Sequence, residues 1–253
     1  MDFTDLTSRQ FKQFCALTYR ESGIVLNDEK RNLLNSRLSK RLRVLNIDAG
    51  DYFSLVRKDS EELQNFLDAI STNHTFFFRE SGSFKYLTKG IRDIWCAASS
   101  SGEEPYSLAI YCLEQGFKPA ILATDISQKC LENGKRAIFD NKCLSNIPKH
   151  MTRLYFQKGQ GKWNNHVKVK ESVRKLVRFE RFNLLKDPLP PRPFDVIFCR
   201  NVMIYFDAST KEFVVKNLCK TLQPNGYFII GGAESLSGLN HDLKYIEPSV
   251  YRK

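Results

Sequence analysis

Apolar residues follow a helical period over the first part of the chain. Between positions 8 and 70 they recur every three or four residues, which indicates amphipathic helices with one apolar face each. The clearest face is formed by Leu34, Leu38, Leu42 and Leu45. The pattern predicts a small all-helical N-terminal domain over residues 1–72.

The pattern changes near residue 92, where short apolar runs begin to alternate with helical segments. This alternation is typical of an α/β domain with a parallel sheet, here over residues 73–253. Ser127 is a predicted helix N-cap, and Asn225-Gly226 predicts a turn before the last strand. The predicted strands are 93–96, 121–124, 177–182, 196–199 and 227–230, and the predicted helices are 103–115, 128–139 and 208–222.

The segment 153–180 interrupts this alternation. Short segments with apolar ends lie at 154–156, 167–169 and 177–179, and Gly159 and Gly161 fall between the first two. Short apolar runs divided by glycines favour tight turns between strands. We expect a small antiparallel β insertion at about 153–180.

Composition narrows the class of protein. With 42% hydrophobic and 26% charged residues among 253, the chain fits a soluble globular protein with one core and a smaller attached unit. It has no apolar run of the roughly 20 residues that span a bilayer and begins without a signal-peptide pattern, so we expect a cytoplasmic protein. The seven scattered cysteines lack C-x-x-C spacing, which indicates reduced thiols.

The net charge of +11 comes from 39 basic and 28 acidic residues. Such a charge attracts polyanions, but it does not distinguish nucleic acid, an anionic membrane surface and an acidic protein helix as partners. A positive net charge also keeps a protein soluble without any partner. Arg37, Lys40 and Arg41 of the second predicted helix form a basic stripe beside its apolar face.

A loop of small residues at 97–102 joins the first predicted strand to a helix that opens with Glu103, Glu104 and Pro105. A ligand could approach this backbone closely. Two carboxylates at the helix N-terminus would repel a pyrophosphate, whereas they suit a ligand that carries positive charge, such as S-adenosylmethionine. They also complement the helix dipole without any ligand, so both interpretations remain open here.

Polar residues follow several predicted strands at the edge where open sheets bind ligands. Asp125 ends the second strand, where nucleoside-binding α/β folds place an acid that accepts hydrogen bonds from ribose hydroxyls. Asn183 and Leu184 follow another strand, and Arg200 and Asn201 follow the next. The sequence therefore predicts a nucleoside site at this edge.

Five segments carry a family resemblance. The segment NHTFFFRE at 73–80 resembles an N-x-T-x-F-F-R motif, and GEEPYSLA at 102–109 resembles a G-E-E-P-Y-S motif. Further similar segments follow in the same order at 123–127, 183–184 and 194–206. Over nearly its whole length the chain resembles the CheR family of protein-glutamate O-methyltransferases.

This resemblance implies a Rossmann-like sheet that binds S-adenosylmethionine, releases S-adenosylhomocysteine and methylates glutamate side chains of methyl-accepting chemotaxis receptors. It implies that receptor cytoplasmic helices contact the basic N-terminal domain through Arg37, Lys40 and Arg41, and that the insertion could dock a receptor tail peptide. We expect a monomer without metal, nucleic-acid partner or membrane insertion.

The resemblance also implies residue roles. Tyr205 and Arg79 would be catalytic, with Arg92 as a second candidate arginine. The sequence departs from the family pattern at Ala98, where many members have glycine, and at 231–235, where the closing segment lacks its histidine. The cofactor-binding residues would be Asn73, Thr75, Arg79, Glu103, Glu104, Asp125, Asn183, Leu184, Arg200 and Asn201.

Two other functions remain open. The positive charge suits a nucleic-acid methyltransferase, although the chain lacks a [DN]-P-P-[YF] motif and a Pro-Cys dipeptide. The departures from the family pattern suit a cofactor-binding signalling module without catalysis. A carboxylate acceptor is already ionised at neutral pH and needs no general base, which agrees with four histidines, at 74, 150, 166 and 241, that lack metal or triad spacing.

Overall fold

The N-terminal part of the chain is a helical domain with its own apolar core. The computed structural model describes residues 5–253 and contains four helices here: α1 (Ser8–Ser22), α2 (Arg31–Leu45), α3 (Ala49–Val56) and α4 (Ser60–Ile70). Their apolar faces meet around Phe14, Tyr52 and Phe66, which are fully buried. The helical pattern predicted for residues 8–70 is therefore confirmed.

The remainder is built on a seven-stranded sheet. Its strands are β1 (Asp93–Ala97), β2 (Ala120–Asp125), β6 (Val177–Arg181), β7 (Phe194–Cys199), β8 (Leu222–Ile229), β9 (Lys244–Glu247) and β10 (Val250–Arg252). The order across the sheet is β6-β2-β1-β7-β8-β10-β9. The first five strands in this order are parallel, and β10 pairs antiparallel with both β8 and β9.

Helices cover both faces of this sheet. Successive β1 side chains point to opposite faces, so Ile94 and Cys96 enter one core while Trp95 and Ala97 enter the other. All four are fully buried, which explains why the strand reads as a continuous apolar run. The helices of this part are α5 (Glu103–Glu114), α6 (Gln128–Arg136), α7 (Lys149–Tyr155), α8 (Glu171–Arg174) and α9 (Ala208–Lys220).

A separate three-stranded antiparallel sheet forms the β insertion, with order β3-β5-β4. Its strands are β3 (Ile138–Asp140), β4 (Phe156–Lys158) and β5 (His166–Val169). The small sheet therefore begins before residue 153, and residues 177–179 belong to β6 of the large sheet instead. The prediction of helix to residue 139 is wrong because Ala137, at φ 55°, ends α6 and the chain turns into β3.

The predicted turn at Asn225-Gly226 is also wrong. β8 runs through both residues, and its pairing with β7 shifts register between Phe194 and Val196. Asn225 takes a φ of 66°, so the Asn-Gly pair forms an irregularity inside a strand. No helix among residues 5–253 combines the length and apolarity needed to cross a bilayer.

The basic stripe of α2 is only partly exposed to solvent. Arg37 donates to the carbonyls of Ile70 and Ser71, and Arg41 donates to both carboxylate oxygens of Glu62. Both guanidinium groups thus tie α2 to α4 and the segment that follows it. Of the three residues predicted to contact a receptor, Lys40 is exposed, whereas Arg37 and Arg41 are half-buried and bound to other residues of the helical domain.

Candidate active site

A pocket lies at the carboxyl ends of the parallel strands, against the helical domain. Its empty volume, including space open to solvent, is about 890 Å³. It is walled by residues at the ends of β1, β2, β6 and β7, by the segment 71–79, and by Ser22 and Ile24 of the helical domain. Because parallel strands end at one edge, chain segments far apart in sequence meet here. The predicted residues that line it are Asn73, Thr75, Arg79, Glu104, Asp125, Asn183, Leu184, Arg200, Asn201 and Tyr205.

The loop after β1 forms the floor of this pocket in a left-handed conformation. Ala98 and Ser100 have φ values of 66° and 50°, and Gly102 has 102°. A Cβ at Gly102 would stand 3.0 Å from the Phe179 ring, so glycine is required there on two grounds. Alanine at position 98 occupies a conformation that glycine adopts freely, and the departure from the family pattern is therefore a strained one.

Asp125 connects the loop after β1 to the start of α6. One carboxylate oxygen accepts the Ser100 amide at 2.8 Å and the other accepts the Ser127 amide at 2.9 Å. Burial raises the pKa of Asp125, an effect that these two amide donors oppose. Ser127 also caps α6, as predicted, by accepting the Cys130 amide. The carboxylate thus lies in the pocket wall in a position set by the backbone on both sides.

Arg200 and two carboxylates form a charge network around a buried guanidinium at the pocket wall. The Arg200 side chain is 2% exposed and donates to Glu104 at 2.6 Å and to Glu80 at 3.0 Å. It also donates to the Arg79 carbonyl at 2.8 Å. Burial opposes the charge of Glu80, but the amide of Gly232 and the Arg200 guanidinium hold the pKa of Glu80 below its ordinary value. Arg200 therefore joins α5, the segment 79–80 and the end of β7.

The segment 73–79 crosses the pocket between the two domains. Ser100 donates its hydroxyl to the Asn73 carbonyl at 3.0 Å, and Arg79 donates to the His74 carbonyl at 2.9 Å. The Arg79 guanidinium also lies over the ring of Phe76, at 5.7 Å from its centroid. These contacts hold Arg79 at the pocket wall beside an exposed aromatic ring.

Tyr205 closes a short 3-10 turn, Met203–Tyr205, after β7. Its carbonyl accepts the Val25 amide at 2.9 Å, and the ammonium of Lys30 lies 5.2 Å from its ring centroid. The helical domain therefore contacts both the backbone and the ring of Tyr205. Asn183 also contacts the helical domain, because its side-chain amide donates to the Glu21 carbonyl at 2.7 Å.

Two predicted site residues do not line the pocket. Arg92 immediately precedes β1 and is exposed at the amino end of the strand, opposite the pocket edge. Glu103 turns away from the pocket and accepts the Ser101 hydroxyl at 2.7 Å, and burial raises its pKa. The neighbouring Glu104 is the carboxylate of α5 that faces the pocket.

Glu80 and Glu234 do not line the pocket, but both accept hydrogen bonds from residues that do. Neither was predicted as a site residue. Glu234 accepts the amides of Asn201 at 2.9 Å and Gly231 at 2.7 Å, which holds the loop after β7 in place. The sequence signals were present: Glu80 ends the first family-like segment, and Glu234 lies in the closing segment 231–235. What was lacking was any indication that these carboxylates bind main-chain amides.

The donor set fits a cationic nucleoside cofactor. Asp125 and Glu104 present carboxylates, and Ile126, Leu184 and Phe206 add apolar surface. The buried hydroxyl of Ser99 has no partner in residues 5–253 and lies in the pocket wall, so it can bind a ligand atom. Within the same residues, no group of three His, Cys, Asp or Glu side chains could hold a metal ion.

The sheet order, its antiparallel β10 and the acid-lined pocket define a Rossmann-like domain of the S-adenosylmethionine-dependent methyltransferase class. Family models give the narrower assignment. Residues 73–252 match the CheR methyltransferase SAM-binding domain, and residues 9–71 match the CheR methyltransferase all-alpha domain. The chain belongs to the CheR methyltransferase family.

Curated relatives agree with this assignment over nearly the whole chain. The chemotaxis protein methyltransferase of Salmonella typhimurium is 37% identical, over 97% of this chain and 90% of its own length. The chemotaxis protein methyltransferase of Borreliella burgdorferi is 35% identical, over 98% of this chain and 95% of its own length. The chemotaxis protein methyltransferase of Escherichia coli is 36% identical, over 97% of this chain and 91% of its own length.

Proposed function

We propose that this protein transfers a methyl group from S-adenosylmethionine to glutamate side-chain carboxylates of methyl-accepting chemotaxis receptors. The observation that carries the proposal is the pocket itself, which the carboxylates of Asp125 and Glu104 line together with Arg79 and Tyr205. The family resemblance and the names of the curated relatives support the choice of receptors as substrates.

The cofactor would lie along the carboxyl edge of the sheet. Asp125 would accept hydrogen bonds from the ribose hydroxyls, Glu104 would face the cationic methionyl part, and Asn201 and Leu184 would line the adenosine end. When bound, the sulfonium supplies an activated methyl group. Arg200 would act indirectly, because it is buried and holds Glu104 in place.

The acceptor needs alignment more than it needs proton transfer. A glutamate carboxylate is ionised at neutral pH, so the reaction requires no general base. Arg79 can pair with one carboxylate oxygen, and the Tyr205 hydroxyl can donate to the acceptor and limit its rotation. Arg92 has no part in this mechanism, because it lies at the other end of β1.

The receptor would contact two further surfaces. Lys40 is exposed on α2 and can pair with an acidic receptor helix, while Arg37 and Arg41 act by holding α2 against α4. An open groove of about 1370 Å³ runs beside edge strand β4 and is lined by Lys149, Arg153 and Lys158. An acidic receptor tail could add a strand to this edge.

The decisive experiment measures transfer of radiolabelled methyl from S-adenosylmethionine to purified receptor cytoplasmic domains, with RNA and DNA as parallel acceptors. We expect label on the receptor that base releases as methanol, which identifies a carboxyl methyl ester. Label on nucleic acid alone would replace the proposal with a nucleic-acid methyltransferase. Cofactor binding without transfer to any acceptor would favour the non-catalytic signalling module.

A matched pair of tyrosine variants tests the role of the pocket. Tyr205→Phe should lower kcat by at least tenfold and leave cofactor affinity within about threefold, because it removes one hydrogen bond to the acceptor. Tyr245→Phe, on edge strand β9 and 58% exposed, should leave both quantities unchanged. An equal loss of kcat and cofactor affinity in Tyr205→Phe would assign Tyr205 to cofactor binding instead.

A further inference from the structure

The positive charge of the chain is concentrated in the β insertion. Residues 138–175 contain nine lysines and arginines against Asp140 and Glu171, and thus account for +7 of the net +11. Among residues 5–253, none of these nine basic side chains forms an ion pair with a carboxylate. Their charge therefore extends into solvent as a strong local field.

One face of the three-stranded sheet presents part of this charge outward. Val167 and Val169 of β5 are buried, so the alternate residues His166 and Lys168 face the other side. Lys168 stands in register between Ile138 of β3 and Gln157 of β4. These outward residues belong to a surface that we call the outer face.

The turn between β4 and β5 completes the outer face with Lys162 and Trp163. The Trp163 ring packs edge-on against His166, with centroids 5.2 Å apart, and the Lys162 ammonium lies 6.0 Å from the Trp163 centroid. Trp163 is 46% exposed despite its size. An exposed tryptophan beside lysines is an amphipathic combination that suits a membrane–water interface.

The outer face is separate from the groove beside β4. Phe156 and Val167, which line the groove, lie on the buried side of the small sheet. Lys158 also lines the groove, and it alternates along β4 with the outward Gln157. A peptide in the groove would therefore leave the outer face open.

Lysine predominates over arginine in this segment, by seven to two. Nucleic-acid sites favour arginine, whose planar guanidinium binds phosphates with two hydrogen bonds and stacks on bases. Lysine acts as a point charge on a flexible stem, which suits the diffuse negative potential of a bilayer surface. The composition thus favours anionic lipid over nucleic acid.

We propose that the outer face, formed by Lys162, Trp163, His166 and Lys168, binds peripherally to an anionic lipid bilayer. The Trp163 ring enters the headgroup region, and the lysines lie over the lipid phosphates. This interaction adds to the proposed methyl transfer and requires neither the cofactor nor a receptor.

Tryptophan fluorescence reports this contact directly. The chain has two tryptophans, and Trp95 is fully buried, so a change on addition of vesicles comes from Trp163. With the full chain, we expect a blue shift and co-sedimentation with phosphatidylcholine vesicles that contain about one third phosphatidylglycerol, and neither effect with phosphatidylcholine alone. High salt should reverse both, and Trp163→Phe should abolish the blue shift.

Two charge-matched pairs of substitutions separate a specific face from general charge. Lys162→Gln with Lys168→Gln should lower the vesicle partition coefficient about 30-fold. Lys89→Gln with Lys216→Gln removes the same charge from two exposed positions elsewhere and should lower it by less than about threefold.

Three results would overturn the proposal. These are an equal loss of binding in both pairs, equal binding to neutral vesicles, and tighter binding of a single-stranded oligonucleotide to the outer face than of anionic vesicles. Because the assay contains no cofactor and no receptor, its failure would leave the proposed methyl transfer untouched.

Discussion

Removal of the Arg200 side chain should destabilise the protein more than loss of any exposed ion pair. Arg200→Met keeps much of the side-chain volume but leaves the carboxylate of Glu104, which is 11% exposed, without its cation. Unit charges about 4 Å apart attract by about 4 kcal/mol at an effective dielectric constant of about 20. Glu80 adds less, because its side chain is 37% exposed and the ion pair is screened by solvent.

We expect the free energy of unfolding to fall by about 3–5 kcal/mol, the range for an uncompensated buried charge. For a chain of this size the midpoint of thermal unfolding should fall by about 6–20 °C, measured by circular dichroism. The control is Arg178→Met, which removes an arginine that is 79% exposed and paired with Glu180. That variant should change the free energy of unfolding by less than about 0.5 kcal/mol.

A second substitution tests whether charge is the cause. Adding Glu104→Gln to Arg200→Met removes the uncompensated carboxylate and should restore at least about 1 kcal/mol of the loss. Equal stability of the single and double variants at neutral pH would show that lost packing, not charge, explains the effect.

Three further outcomes follow from the site and its supports. Asp125→Ala should weaken S-adenosylmethionine binding in calorimetry by about 1.5–3 kcal/mol, through loss of a charged acceptor for the ribose hydroxyls, and unchanged affinity would contradict that role. Ala98→Gly should raise the free energy of unfolding by about 0.5–1 kcal/mol in urea titration, because relief of left-handed strain exceeds the added freedom of the unfolded chain. Asp207 caps α9, and the amide and hydroxyl groups that donate to it lower its pKa from 3.8 to about 2. The ionised carboxylate therefore stabilises the fold above pH 4, and this contribution is lost as the pH falls through 2. Asp207→Ala should therefore cost about 1 kcal/mol at pH 7, and a deficit that is undiminished at pH 2 would refute the assignment.

The chain order was enough to predict which residues meet in the pocket. Asp125, Asn183 and Arg200 each follow a parallel strand, and parallel strands in one sheet end at one edge. The same geometry explains the misplaced Arg92, which precedes its strand and so lies at the opposite end. Glu103 was misplaced because neighbouring residues of a helix face different directions, and only Glu104 faces the pocket.

Long-range contacts were beyond the sequence pattern. Glu80 accepts the amide of Gly232, 152 positions away, and no periodicity connects the two. Strand β3 was missed because three residues are too short to show an alternation, and its pairing with β5 decides its conformation. In both cases the residue or strand that fixes the local conformation is brought near by the folding of other segments.

The two-sided wall of the pocket couples ligand binding to the attachment of the helical domain. Ser22 and Ile24 form one side and the strand ends form the other, so a ligand that fills the pocket contacts both domains. By thermodynamic linkage, a ligand at 100 times its dissociation constant stabilises this joined state by about 2.7 kcal/mol. Backbone amides at the junction, such as that of Val25, should then exchange with solvent deuterium about 100-fold more slowly. The helical domain thus supplies one side of the binding site, and a bound ligand would stabilise its contact with the sheet domain.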